Sequence, residues 1–272
     1  MKSKSYIALF SAFILFLSCA TNPFTDKQTL ALVPNSQLFP TAFQQYNQFL
    51  SENKVVNGTT DAEMVTRVGQ RITVAAERWL NSNGYHSYLA DYKWEYNLVD
   101  DKTMNAWCMP GGKIVVYSGI LPVAQSESGL AAIMGHEVAH ALANHGQQRM
   151  SAGYIQQGVA IAGNIAIQNE NDRNMFNQYY GVGSSVGVML PFSRSHETEA
   201  DKIGLYLMAI AGYNPDEAAE LWKRMKAKSG GQAPPEMLST HPANDTRIAN
   251  LTALSPVAKK EAAKFGVTTF RD

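Results

Sequence analysis

The chain of 272 residues has no excess of charge of either sign: 23 Lys and Arg balance 23 Asp and Glu. There is therefore no chain-wide field to collect nucleic acid or anionic lipid. Cysteine is nearly missing, with only Cys19 and Cys108, which excludes a disulfide-stapled scaffold. No internal repeat is present, so partner proteins would come as separate chains. No apolar run reaches the roughly 20 residues that a membrane-spanning helix needs. What is present is 45% hydrophobic and 17% charged residues, a balance that folds around a sizeable core in one large or two small domains.

The N-terminus is the first informative stretch. Lys2 and Lys4 precede an apolar run from Tyr6 to Leu17, which ends at Ser18 and Cys19. That is the layout of a secretory signal, too short for a permanent span. A small residue before a cysteine resembles the bacterial lipobox, where the cysteine becomes the lipid-bearing first residue; plain secretion and an uncleaved anchor are the other readings. Ala20 after Cys19, in place of Asp, resembles an outer-membrane sorting address. Cys108 is then a lone thiol, read as a small apolar residue on a strand. The chain divides into a signal over 1–18, a polar tether and approach segment over 19–60 lying outside the main core, and a main domain over 61–272.

Within the main domain, Met64, Val65, Val68, Ile72, Ala75, Ala76 and Trp79 recur at helical spacing. Strand-like runs over 94–99 and 113–118, separated by Pro110-Gly111-Gly112, predict a small antiparallel sheet. A helix is expected from about Glu127 to Gln148, and another from near Ser195 to Ala211. The Gly- and Ala-rich residues 151–190 read as a helical hairpin beside the site, with a membrane-interfacial surface as the alternative. Gly230-Gly231 and Pro234-Pro235 predict a loop ahead of His241.

The chemistry concentrates in His136-Glu137-Val138-Ala139-His140. Histidines at i and i+4 project from one helix face, the arrangement that supplies two ligands to a catalytic zinc. Glu137, beside them, is placed to polarise water at the metal and pass its proton to a leaving amine. The alternative is a helix whose histidines are satisfied by ordinary partners. His145 reads as a polar group near the helix end rather than a ligand, and Glu170 lies in a polar stretch that reads as a loop. Glu197 is the better third ligand, with Asp201 one turn later to accept a hydrogen bond from a ligand histidine.

Together with the segment from Ser193-Arg194 to Ala200-Asp201, the His136 to His140 motif resembles the M48 family of metallopeptidases, which includes the CAAX prenyl proteases, HtpX and Oma1. The similarity runs from about Asp61 to Asn250, and without several membrane spans the chain looks like the lipoprotein proteases of the bacterial periplasm. The resemblance implies a mainly helical α+β zincin with a small antiparallel sheet at the cleft, one Zn2+ per chain and metalloendopeptidase activity. It implies that His241 of His241-Pro242 faces the zinc, either closing its open position or assisting near the oxyanion, with Arg247 helping to stabilise charge. It also implies that Asn105 and Ala106 belong to an edge strand along which extended substrate pairs. The expected setting is a bacterial envelope, anchored through Cys19 and facing the periplasm, on the outer membrane. The expected partners are unfolded or misassembled envelope polypeptides and separate adaptor or assembly proteins. The rival from another class is a latent or chaperone-like zinc protein that holds clients without routine cleavage.

Overall fold

A computed structural model describes residues 19–228 and 236–272. The expected signal over 1–18 and the Gly-Pro loop around 230–235 lie outside the described residues.

The central element is helix α4 (Glu127–Leu142), in which every residue from Ser128 to Leu142 is buried. It carries too little polar surface for a solvent-facing stripe, so it is wrapped on all sides. Ser126 caps its start by accepting from the Gly129 N–H at 3.0 Å. Helix α2 (Thr60–Ser82) packs on one side through Val65, Val68, Ile72 and Ala76, capped by the Thr59 side chain. Helix α7 (Leu190–Ile210) packs on another. At their crossing α4 and α7 meet backbone to backbone: a Cβ on Gly204 would lie 2.8 Å from the Gly135 carbonyl carbon and the His136 nitrogen. Only glycine permits that approach, and it sets the spacing between the two helices directly beside His136.

A four-stranded sheet lies over α4 in the order β3 (Val55–Val56), β4 (Glu95–Val99), β6 (Lys113–Tyr117), β5 (Ala106–Met109). The expected antiparallel pairing is corrected in part. Strands β4 and β6 run parallel, Glu95 opposite Lys113, and β5 turns back on β6 as the antiparallel edge, Ala106 opposite Val116. The intervening β5 makes a parallel β4–β6 pair possible without a helix between them.

The segment 19–60 is not a loose tether outside the core. Strands β1 (Cys19–Thr21) and β2 (Gln28–Leu30) form a small ribbon, and helix α1 (Asn35–Glu52) sends Leu38 and Phe39 into the main core and buries Tyr46 under β6. Asn22 hydrogen-bonds to Glu199.

The expected continuous helix to Gln148 is broken. Asn144 takes the left-handed conformation, φ 54°, which Asn tolerates better than most residues, and α5 (His145–Ala166) starts in a new direction. Helix α6 (Glu170–Ser184) folds back on α5 as the expected hairpin, so Glu170 opens a helix rather than sitting in a loop. A single π-helical turn over Ser185–Met189 joins α6 to α7. Helix α10 (Asp245–Ala263) packs on α7 and on α8 (Asp216–Lys228), α8 also packs on α4, and the short α9 (Glu236–Thr240) leads to His241.

Candidate metal centre

Four donor groups converge where α4, α7 and the end of α9 meet: His136, His140, Glu197 and His241, each with one ligand atom within 4.8 Å of the others. Nε2 of His136 and Nε2 of His140 are 3.1 Å apart. Glu197 lies 3.3 Å from the first and 3.2 Å from the second. A tetrahedron with bonds of about 2.0–2.1 Å, as zinc makes to His and carboxylate, has edges of about 3.3 Å, so these three donors sit at coordination spacing.

The outer nitrogens explain why the inner ones face one another. Nδ1 of His136 is 3.0 Å from Asp201 Oδ1, and Nδ1 of His140 is 2.8 Å from Nδ1 of His145. With the Nδ1 protons given to those partners, two bare Nε2 lone pairs are left pointing at each other, a contact that a cation between them relieves. His145, reaching Nδ1 as acceptor, must carry its own proton on Nε2; that atom has no hydrogen-bond partner and faces Glu199 at 3.9 Å. The His145 ring is fully buried and stacks on His196 at 4.1 Å.

Electrostatics favour positive charge at this point. Burial and the Arg247 guanidinium work against a proton on His136, yet hydrogen bonds to Asp201 and Glu197 carry its pKa up to about 9. Burial holds His140 well below the ordinary histidine value, so that ring stays neutral. Burial opposes ionisation of Glu197, but the His136, His140 and His241 rings around it hold its carboxyl far below the usual carboxylate range. A field that favours a proton here favours a divalent cation as well.

Arg247 braces the assembly from behind. Asn244 caps α10 and places Arg247 in its first turn. The guanidinium donates twice to Asp201, at 2.8 and 2.6 Å, and stacks on Trp222 with its carbon 3.5 Å from the ring centroid. It also lies 3.4 Å from Glu197.

Glu137 faces a cleft of about 520 Å3 with Asn105, Ala106, Cys108, His140 and His241. Its Oε1 is buried without a hydrogen-bond partner, and the nearest charged-group contact is His241 Nε2 at 3.6 Å. His241 Nδ1 takes the fourth position, 2.7 Å from Glu197 and 3.2 Å from Nε2 of His136. Strand β5 forms the edge of the sheet on this cleft. Burial pushes the Cys108 thiol well up, which makes it an unreactive neighbour. A larger cavity, about 970 Å3, lies away from this chemistry between α5, α6 and the start of α7.

The structure brings together all of the residues singled out on chemical grounds: His136, Glu137, His140, Glu197, Asp201, His241 and Arg247. Cys19 lies apart on β1, exposed. Two further residues support the site in ways the sequence reading did not expect. His145 touches His140 because the helix breaks at Asn144, and Trp222 supports Arg247 from a helix whose apolar spacing alone reads as core.

A pair of histidines four apart on a buried helix, a carboxylate donor from a second helix and a free glutamate facing a sheet edge is the geometry of the zincins. The sequence model of Peptidase family M48 matches residues 68–255, and the chain belongs to that family, whose members use zinc. It is 37% identical over 175 residues to the mitochondrial metalloendopeptidase OMA1 of Schizosaccharomyces pombe, covering 64% of this chain and 50% of that protein. It is 35% identical over 182 residues to the OMA1 protein of Saccharomyces cerevisiae, covering 64% and 51%. It is 28% identical over 214 residues to the putative beta-barrel assembly-enhancing protease of Vibrio cholerae, covering 75% and 41%. The chain spans about half the length of the curated relatives it matches.

Proposed function

We propose that the chain is a zinc-dependent endopeptidase with His136, His140 and Glu197 as metal ligands and Glu137 as general base. The observation that carries this reading is the pair of facing histidine Nε2 atoms at coordination spacing beside a buried carboxylate oxygen with no partner. Zinc held there would supply a Lewis acid that acidifies water and polarises a peptide carbonyl. Glu137 takes the proton of the attacking water and returns it to the leaving amine. Asp201 and His145 fix the tautomers of His136 and His140, and Arg247 holds Asp201. Extended substrate pairs its backbone with the free edge of β5 near Asn105 and Ala106, a mode that reads chain shape more than sequence.

His241 holds the fourth donor position, so it must swing aside before water and substrate reach Glu137; the resting site is closed. The same contact favours a second reading, a latent protein that holds clients without cutting them. The natural substrates are unfolded or misassembled envelope proteins. The membrane is reached through a lipid on Cys19, facing the periplasm, and assembly-machinery proteins act as separate partners. The bacterial relative's printed name and the lipobox-like Ser18-Cys19 support this setting. The test is cleavage of an unfolded casein: activity abolished by a chelator and restored by zinc supports the endopeptidase, whereas clients bound but never cut support the latent reading.

A further inference from the structure

The α5–α6 hairpin carries apolar surface that no part of the described fold covers. Tyr154, Ile161 and Ile165, spaced i, i+7 and i+11, line the outer face of α5, and Ile165 is 72% exposed. The opposite side of α5 supplies Ile155 to the groove of about 970 Å3, whose other wall includes Met175, Tyr179, Val188 and Phe192. A helix apolar on both sides belongs in a core or against lipid. Charge is withdrawn from the same region: residues 150–169 and 174–193 hold no Asp, Glu, Lys or Arg, and Glu170, Asp172 and Arg173 sit together at the turn.

Two further observations select the occupant. Leu30 lines the groove and stands opposite Cys19 in the β1–β2 pairing, so both side chains project from the same face of the ribbon, about 5 Å apart. Acyl chains on Cys19 would therefore emerge at the groove's rim. Secondly, along the groove away from Asp172 at its turn end, polar groups are tied to one another: Gln156 donates to Ser184 at 2.7 Å, and the Tyr180 hydroxyl donates to the Gln156 carbonyl at 3.2 Å. A peptide backbone entering the groove needs hydrogen-bond partners, whereas an acyl chain needs none.

We propose that the α5–α6 hairpin is a lipid-docking face, which lies in the bilayer surface beside the acylated Cys19 and holds the protease at a fixed orientation on its membrane. No helix among the described residues is long and apolar enough to cross the membrane, so the hairpin lies on the surface rather than spanning it. The inference rests on the lipid anchor proposed above, and its test separates the two. Full-length protein carrying Cys108→Ala and Tyr179→Cys is labelled at position 179 with an environment-sensitive fluorophore and mixed with vesicles of phosphatidylethanolamine and phosphatidylglycerol. Co-flotation and the mass of the Cys19 peptide report the anchor; a blue shift of the label reports the hairpin.

Flotation with a blue shift is the expected result. Adding Ile161→Asp and Val188→Asp, both at exposed positions, is expected to lower the blue-shifted fraction about tenfold or more for each residue while flotation persists. Flotation without a shift overturns the docking face and leaves the anchor standing. A shift with vesicles but an unmodified Cys19 overturns the anchor and leaves the face. A shift that needs no vesicles and grows with protein concentration assigns the face to a second copy, and a shift given by unfolded casein instead assigns it to clients; either overturns the proposal.

Discussion

Helices α4 and α7 and the hairpin α5–α6 are covalently continuous, yet they treat polarity in opposite ways. The first pair buries His136, Glu137, His140, His196 and Asp201 and gives nearly every one a partner, with Asp201 on His136 and Arg247 from α10 on Asp201. The hairpin exposes apolar side chains and, beyond Arg149 near its start, carries charge only at its turn. Buried polarity is tolerated where geometry is fixed, and at α4–α7 the Gly135–Gly204 contact fixes it. The hairpin has no such constraint, so its sequence reflects what it touches rather than what it holds.

Substitutions at the first region are expected to be severe. His140→Ala or Glu197→Ala removes a donor and leaves the others unable to close the coordination sphere; metal analysis after dialysis should find zinc lost, and retained stoichiometric zinc would break the contrast. Asp201→Asn leaves the buried Arg247 without its carboxylate, at about 3–5 kcal/mol, and loosens His136, lowering zinc affinity about 10–100-fold. Thermal unfolding and chelator competition read the two effects separately. His145→Phe keeps a ring against His196 but removes the acceptor for His140, and about a tenfold loss of zinc affinity is expected with little change in melting temperature.

Gly204→Ala sharpens the comparison from the backbone side. Its Cβ meets backbone rather than a flexible side chain, so α7 must move from α4; about 1–3 kcal/mol of stability and part of the zinc affinity should go together. Acid acts on the same region in a fixed order. Zinc binding should weaken as pH falls, because protons compete for the ligand rings, first at His136, whose surroundings carry its pKa up to about 9. Glu197 and Asp201 are held below the usual carboxylate range, so the stability they add is complete above their unfolded values of about 4 and is lost only as pH falls further, through their folded values. Zinc content and circular dichroism measured along one titration check that order. At the other end of the scale, Ile165→Ser on the exposed hairpin should change stability by no more than about 0.5 kcal/mol and leave casein cleavage unchanged.

The contrast also decides what could be read in advance. His136, Glu137 and His140 are legible because helical spacing alone places them, and Glu197 with Asp201 because one turn separates them. The helical hairpin is legible from its composition. His145 is not, since its contact depends on a left-handed Asn144 that the surrounding helix formers conceal. The parallel β4–β6 pairing is hidden because strand direction depends on where β5 inserts, and α1 is hidden because Pro34 and Pro40 look like breakers while Leu38, Phe39 and Tyr46 carry the packing. Trp222 has no local signal at all: only the fold brings it under Arg247.

The most direct test of the central claim compares wild-type protein with Glu137→Gln for zinc content and for cleavage of unfolded casein. Glu137 is not among the converging donors, so both proteins should hold one zinc per chain, while cleavage by the variant falls by about 10²–10⁴-fold. Equal cleavage by the two proteins, or a wild type that cuts without zinc, would contradict it.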